Sequence, residues 1–218
     1  MIAGTGLAQL RTSGGHHGSD PRRRSVMDRL LELFVEEGFS TLTTEEMCRR
    51  LRCSKSTLYL VAGSREQIVI AIVRHFYARM SARIREAVEA EPDRARRLAR
   101  YLVAVGEAVD GTSIAFFVDL VSYAPVASAH AEGQRDAAAY VEELVHDAVG
   151  SGAIRIVDAT LVAQVLANLI AGVQVGDIGK GARRTPVEVL ADLGDLLLAG
   201  LAPDTPERSA GQSADAAR

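Results

Sequence analysis

The sequence predicts an all-α protein of about nine helices, with a small N-terminal and a larger C-terminal helical domain. Apolar residues recur at intervals of three and four almost throughout positions 21–202, the periodicity of helices with one buried face. Turn-forming clusters of Gly, Pro, Asp and Ser separate these segments. No run of alternating apolar and polar residues favours a sheet, and residues 153–157 are the only brief exception. At 218 residues and 48% hydrophobic content, the chain can bury a sizeable core.

Helix-start and helix-stop residues predict four helices in the N-terminal part. Capping boxes, in which a side chain and a backbone N–H bond reciprocally, fit Thr43 with Glu46 and Ser64 with Gln67. Proline can open a helix, and glycine in a left-handed conformation commonly ends one. The first helix runs from Pro21 to Gly38, the second from Thr43 to Leu51, the third from Lys55 to about Val61, and the fourth from Ser64 to Pro92.

Five further helices and two terminal segments complete the predicted organisation. The helices cover residues 92–109, 113–123, 128–149, 158–178 and 186–201. Both termini lack apolar periodicity, which is typical of disordered segments. We expect a flexible N-terminal arm over residues 1–21, a small helical domain over 22–67, a larger helical domain over 68–202, and a disordered tail over 203–218.

Composition and motifs exclude several classes of protein. No apolar run reaches the roughly 18 residues that a membrane span needs, and the N-terminus has no secretory signal, so we expect a cytoplasmic protein without a membrane partner. Cys48 and Cys53 have no companion ligands for a metal, and we interpret both as small buried hydrophobes, with a redox pair as the alternative. Neither a phosphate loop nor a nucleophile elbow occurs, so neither an enzyme nor a cofactor is expected.

The charge is unevenly divided along the chain. The net charge is -3, yet residues 21–67 carry nine Arg or Lys against seven Asp or Glu. Residues 68–218 carry fifteen against twenty. The basic excess begins with Arg22, Arg23 and Arg24, and it indicates that any contact with an anionic polymer lies in the N-terminal part.

Two short helices joined by a tight turn form the most informative motif. The segment reads TTEEMCRRLRCSKSTLY over residues 43–59, with the turn at 51–54. In a helix-turn-helix, the first helix braces the second, whose N-terminal end can enter a major groove. Apolar side chains of the segment would face the core, namely Met47, Leu51, Cys53 and Leu58. Hydroxyl and amine groups that suit phosphates and base edges would face outward, namely Ser54, Lys55, Ser56, Thr57 and Tyr59.

This segment and its flanks resemble the N-terminal domain of the TetR family of transcriptional regulators. The resemblance covers residues 22–73 and rests on Gly38-Phe39, Thr43-Thr44, the SKSTLY run at 54–59, and Ser64-Arg65-Glu66. By position, it implies that Thr44, Lys55 and Tyr59 contact the DNA backbone and that Ser54, Ser56 and Thr57 lie nearest the bases. It also implies that Arg65 anchors the fourth helix to a phosphate, and that Arg22, Arg23 and Arg24 act as an N-terminal arm on phosphates or in a minor groove.

Two positions depart from the family pattern. Arg52 stands where the family usually has glycine, so it either adopts a left-handed backbone at a cost of about 1 kcal/mol or lies in a different turn. Leu60-Val61-Ala62 replaces the usual aromatic pair, which changes how the reading helix packs. An all-α interaction protein of the same fold with weakened or lost DNA binding is therefore the alternative function.

The last two helices carry broad apolar bands that predict a homodimer. The resemblance implies a four-helix interface, and a palindromic operator on double-stranded DNA needs two reading heads at a fixed spacing. Burial of the same bands inside one subunit is the competing interpretation. The predicted interface residues are Val162, Val165, Leu166, Leu169, Val173, Val189, Leu193, Leu196 and Leu197.

The resemblance also implies a chamber for a small-molecule effector among the central helices. Aromatic side chains concentrate there, and an apolar pocket needs a few polar groups for specificity. We expect a largely apolar effector that moves the fourth helix and releases a repressor from its operator. The candidate ligand-binding residues are Tyr77, Tyr101, Phe117, Tyr123, His130 and Tyr140.

Overall fold

The computed structural model describes residues 20–179 and 184–203, and within these ranges the chain is helical with no strand. The prediction of an all-α protein of about nine helices is therefore confirmed. Most of the predicted N-terminal arm and the predicted tail after residue 203 lie outside the described residues. The helices are α1 (Pro21–Glu37), α2 (Thr44–Leu51), α3 (Lys55–Leu58), α4 (Arg65–Glu89), α5 (Arg94–Val109), α6 (Ile114–Ser122), α7 (Ala127–Gly150), α8 (Ala159–Gln174) and α9 (Pro186–Leu201). A short 3-10 helix, Ala124–Val126, joins α6 to α7.

Side-chain caps begin the N-terminal helices where the sequence placed them. The side chain of Thr43 accepts a hydrogen bond from the Glu46 backbone N–H, and that of Ser64 accepts one from Gln67. Neither predicted capping box is reciprocal, however. At the first of them, the Glu46 carboxylate pairs with Arg49 instead. The reciprocal box that does form is at α9, where Thr185 and Glu188 exchange both bonds.

Several helix ends differ from the prediction. The third helix ends at Leu58 rather than near Val61, because residues 59–61 form tighter turns with i to i+3 hydrogen bonds. The eighth ends at Gln174 rather than Ile178, since Gly176 and Gly179 adopt left-handed conformations with φ of 76° and 85°. Residues 153–157 form no strand.

Two hydrophobic clusters organise the described chain. The first unites α1 to α3 and the N-terminal half of α4 with α6 and the start of α7, around the fully buried rings of Phe34, Phe39 and Phe116. The second unites the C-terminal half of α4 with α5, α7, α8 and α9. Helix α4 thus belongs to both clusters and joins them mechanically.

None of the described helices is by itself long and apolar enough to cross a membrane. Helices α5 and α6 meet the length and composition only when taken together, and a bend of 101° separates them.

Candidate nucleic-acid interface and ligand cavity

Helices α2 and α3 form a helix-turn-helix whose apolar side chains point inward. Met47, Leu51 and Leu58 are almost completely buried against α1 and α4. Arg52 adopts the left-handed conformation, with φ of 49° and ψ of 48°, in the position predicted to need it. Its backbone N–H still closes the α2 terminus on the carbonyls of Arg49 and Cys48, so the turn keeps its hydrogen bonds despite the missing glycine.

Three hydroxyls gather at the N-terminal end of α3. Ser54 caps the helix by accepting from the Thr57 N–H at 3.1 Å, and its Oγ lies 2.8 Å from that of Ser56 and 2.9 Å from Oγ1 of Thr57. Ser54 and Ser56 are exposed and Thr57 is half-buried. The three residues expected nearest the bases therefore lie together at the end of α3 that can enter a groove, held in place by their own hydrogen bonds.

Lys55 is exposed beside these hydroxyls but is paired. Its Nζ lies 2.5 Å from Oε1 of Glu45 on α2. This hydrogen-bonded ion pair lowers the pKa of the Glu45 carboxyl and raises that of the Lys55 ammonium. A phosphate that binds Lys55 must therefore compete with a carboxylate on the same surface.

The remaining predicted backbone contacts lie on the same two helices. Tyr59 is 42% exposed, and Thr44 is half-buried in the first turn of α2. The two residues after Tyr59 differ in exposure: Leu60 is exposed, and Val61 is buried in the first hydrophobic cluster. Val61 thus occupies the packing position between the reading helix and α4.

Arg22, Arg23 and Arg24 do not form an extended arm. They lie in the first turn of α1, which Asp20 caps and Pro21 opens. The Arg23 guanidinium donates to the Val61 carbonyl at 3.3 Å, which places this turn beside the end of the reading segment. The helix begins at Pro21, as the sequence predicted, and contact of these three arginines with phosphates or a minor groove stays a prediction.

Arg65 also differs from its predicted role as a phosphate anchor. Its guanidinium donates to the carbonyls of Leu42 at 2.7 Å, Phe39 at 3.0 Å and Ser40 at 2.7 Å, all in the loop between α1 and α2. A fourth bond goes to the hydroxyl of Tyr123 at 2.5 Å. With four hydrogen bonds inside the protein, Arg65 holds the loop rather than presenting its donors to DNA.

Asp119 on α6 was not predicted and completes this junction. Its Oδ2 accepts from the backbone N–H groups of Phe39 at 2.6 Å and Ser40 at 2.8 Å. Gly38 makes room for it, since a Cβ at that position would lie 2.8 Å from the same oxygen. One signal was present in the sequence: Asp119 is the only charged residue in the otherwise apolar helix IAFFVDLVS.

A cavity of about 390 Å³ lies between α4, α5, α6, α7 and α8. Four of the six predicted ligand-binding residues line it, namely Tyr77, Tyr101, Phe117 and Tyr140. Small residues on α7 and α8 leave the space open, among them Gly133, Ala137, Ala163 and Ala167. Charged side chains line it only where it is exposed, namely Arg85, Asp136 and Glu143.

Tyr123 and His130 are not among the lining residues. The Tyr123 hydroxyl bonds to Arg65, and its ring packs on Phe39 with centroids 5.9 Å apart, so it belongs to the loop junction. His130 lies behind the cavity wall, where its Nδ1 is 2.6 Å from the Tyr77 hydroxyl. Burial lowers the pKa of His130, which favours a neutral ring that orients Tyr77.

The outer faces of α8 and α9 present apolar side chains on the described surface. Of the predicted interface residues, Val165 is 47% exposed and Leu196 is 70% exposed. Leu161, which was not predicted to lie in the interface, is exposed as well. Two predicted interface residues face the other way: Leu166 and Val173 are buried within the protomer, and Leu166 lines the cavity. The remaining five are half-buried, namely Val162, Leu169, Val189, Leu193 and Leu197.

Neither a disulfide nor a metal-binding cluster is found in the part of the chain that the structure describes. Cys48 and Cys53 are both half-buried free thiols rather than fully buried, and burial raises the pKa of Cys48. Among residues 20–179 and 184–203, no group of three or more His, Cys, Asp or Glu side chains is arranged to hold a metal ion.

Residues 26–72 match the family described as bacterial regulatory proteins, tetR family. A comparison with curated proteins gave no match. Among solved structures, the chain is similar to the TetR family transcriptional regulator PfmR from Thermus thermophilus, with a TM-score of 0.61 and 19% identity over 80% of this chain and 97% of that one.

Two further similar structures contain ligands. One is the transcriptional regulator FadR from Bacillus subtilis in complex with stearoyl-CoA, with a TM-score of 0.68 and 15% identity over 82% of this chain and 98% of that one. The other is AibR in complex with isovaleryl coenzyme A and operator DNA, with a TM-score of 0.61 and 18% identity over 84% and 98%. At these identities the likeness establishes a shared fold.

Proposed function

Because residues 26–72 form an N-terminal domain of the TetR family, we propose that this chain is a ligand-responsive transcriptional regulator that reads DNA with α3 and acts in the cytoplasm. One observation carries the proposal: Ser54, Ser56 and Thr57 stand at the N-terminal end of a helix whose other side is buried. Hydroxyls and free backbone N–H groups at a helix start suit phosphates and base edges.

Binding to the protein's own promoter region at two salt concentrations tests this proposal. A regulator forms a specific complex that weakens as salt rises, because each neutralised phosphate releases counterions. A scrambled duplex of equal length is the control. If no complex forms even at low salt, DNA reading is wrong and the alternative of an interaction protein of the same fold gains support.

Replacing Glu45 with glutamine is expected to tighten operator binding about threefold to fivefold at low salt. The change removes a carboxylate from the reading surface and frees Lys55 for phosphate. Fluorescence anisotropy with labelled operator DNA measures the effect. Glu107→Gln, which breaks an exposed ion pair with Arg100 on α5, makes the same charge change far from α3 and should leave affinity unchanged. Equal tightening by both variants would show that only net charge matters.

The exposed apolar faces of α8 and α9 support a homodimer that presents two reading heads to a palindromic operator. Single exposed apolar residues are common, but Leu161 and Val165 line one surface groove with the half-buried Val162 and Leu197. Leu196, the neighbour of Leu197 in the chain, is exposed as well. This arrangement resembles half of a four-helix interface.

Replacing Leu196 with glutamate is expected to weaken the dimer at least about tenfold, because a charge would be buried without a partner. Sedimentation velocity over a range of protein concentrations measures the dissociation constant. Val121→Glu is the matched control, since Val121 is 74% exposed on α6 and Leu196 is 70% exposed. A dimer unaffected by Leu196→Glu would exclude this face as its interface.

The cavity supports a largely apolar effector, and release of a repressor from its operator is the response we propose. Aromatic and aliphatic side chains dominate its lining, as expected for sites that bury most of a small molecule. The similar structures of FadR and AibR contain acyl coenzyme A ligands, which agrees with an apolar group in such a cavity.

Helix α6 provides the connection from the cavity to the reading head. Phe117 lines the cavity, and the same helix carries Asp119, whose carboxylate holds the loop after α1. Rings in edge-to-face contact follow the same path, since the centroid of the Phe116 ring lies 5.7 Å from those of Phe117 and Phe39. A ligand that displaces Phe117 therefore shifts α6 and the loop that sets the position of α2 and α3. In this mechanism Arg65 couples α4 to α6 rather than to DNA.

A further inference from the structure

The Tyr101 hydroxyl on α5 is a polar group without a hydrogen-bond partner among residues 20–179 and 184–203. Tyr101 is 4% exposed and lines the cavity. Its Oη makes no hydrogen bond within the described residues. Every fully enclosed side-chain N or O atom in these residues has a hydrogen-bond partner, so the unpaired Tyr101 Oη must border open space. Since Tyr101 lines the cavity, the cavity is the open space within reach of its hydroxyl.

The other polar lining residues are engaged or less buried than Tyr101, and among them Ser81 and Gln174 are half-buried and Gln134 is exposed. Tyr77 bonds to His130, and the face of Tyr140 is covered by the Arg85 guanidinium, 3.9 Å from the ring centroid. Arg85 also pairs with Glu143 at 3.7 Å. No buried side chain in the described chain carries a charge. Tyr101 is therefore the most deeply buried polar lining residue without a hydrogen bond, and the closed part of the cavity offers no counter-ion for an anion.

Burial raises the pKa of Tyr101 to about 12, so the hydroxyl is protonated and available as a donor at neutral pH. A buried donor without a partner favours a ligand that brings an acceptor, because leaving the donor unpaired is costly. A carboxylate brought to the same place would lose its hydration without gaining a cation, which disfavours it.

We propose that the effector is a neutral, largely apolar molecule whose carbonyl or ether oxygen accepts a hydrogen bond from Tyr101. This deepens the proposed function, since it rests on the cavity being the effector site. Aryl rings that carry one such oxygen fit the volume and the aromatic lining.

Calorimetric titration of the full chain with three matched probes tests the inference. The probes are 2-acetylnaphthalene, 2-ethylnaphthalene and 2-naphthoate, which share one ring system and differ in the oxygen group. We expect the ketone to bind about fivefold to tenfold more tightly than the hydrocarbon, and the carboxylate to bind most weakly. In Tyr101→Phe the ketone should lose its advantage while the affinity for the hydrocarbon stays the same.

Tyr123→Phe is the matched control, because it removes a hydroxyl from a tyrosine that does not line the cavity and should keep the preference for the ketone. An unchanged preference in Tyr101→Phe, tightest binding by the carboxylate, or no binding by any probe would overturn the proposal. The titration contains no DNA, so its failure leaves DNA reading untouched, and failure of promoter binding leaves this result intact.

Discussion

Replacing Arg65 with methionine is expected to lower the free energy of unfolding by about 3 kcal/mol, because three backbone carbonyls lose a charged donor. Phe39 and Leu42 are buried, so water cannot fully replace the guanidinium at their carbonyls. Methionine keeps most of the apolar stem, which limits the effect to the lost hydrogen bonds. Urea denaturation followed by circular dichroism measures the change.

Two controls separate the junction from general effects of losing an arginine. Arg74→Met, on the same helix, breaks an exposed ion pair with Glu132 and should cost less than about 1 kcal/mol. Tyr123→Phe removes only one of the four bonds to Arg65 and should cost about 1 kcal/mol. Unchanged stability in Arg65→Met, together with weaker DNA binding and a smaller salt slope, would restore the phosphate role that the family resemblance implied.

The contrast between α3 and Arg65 marks what the sequence can predict. Caps at Thr43, Ser54 and Ser64 are local, since donor and acceptor lie within three residues, and all three side chains accept the expected backbone N–H, although the boxes predicted at Thr43 and Ser64 are not reciprocal. The partners of Arg65 lie 23 to 58 residues away, so no local pattern specifies them. Long-range hydrogen bonds therefore decide which way the Arg65 side chain points, and the phosphate contact carried over by position stays a prediction.

The apolar bands of α8 and α9 show a second limit. Periodicity identifies which residues avoid water, but it does not distinguish burial in the same protomer from burial against another. Leu166 turns toward the cavity and Val165, its neighbour, is 47% exposed. Helix α8 thus forms part of the cavity wall with one side and part of the protein surface with the other. Only the position of α7 shows which side of α8 faces the cavity.

Replacing Gly133 with alanine is expected to lower the free energy of unfolding by about 1 to 2 kcal/mol, although alanine is the better helix former. An added Cβ would lie 2.4 Å from the Tyr77 ring, which crosses α7 at this glycine. The ring must then move into the cavity and give up its bond to His130. Urea denaturation measures the loss, and near-UV circular dichroism reports the ring, since the chain has five tyrosines and no tryptophan.

Gly150→Ala on the same helix is the matched control, because its added Cβ meets nothing within 4 Å. It should leave stability unchanged or raise it by less than about 1 kcal/mol. If both variants are equally stable and the tyrosine signal is unchanged, Tyr77 does not pack across α7 as described. If only Gly133→Ala is destabilised, the same substitution should also weaken binding of 2-acetylnaphthalene, since a displaced Tyr77 ring fills space that the ligand needs. Stability and ligand affinity then depend on one glycine, because the wall of the cavity is also part of the core.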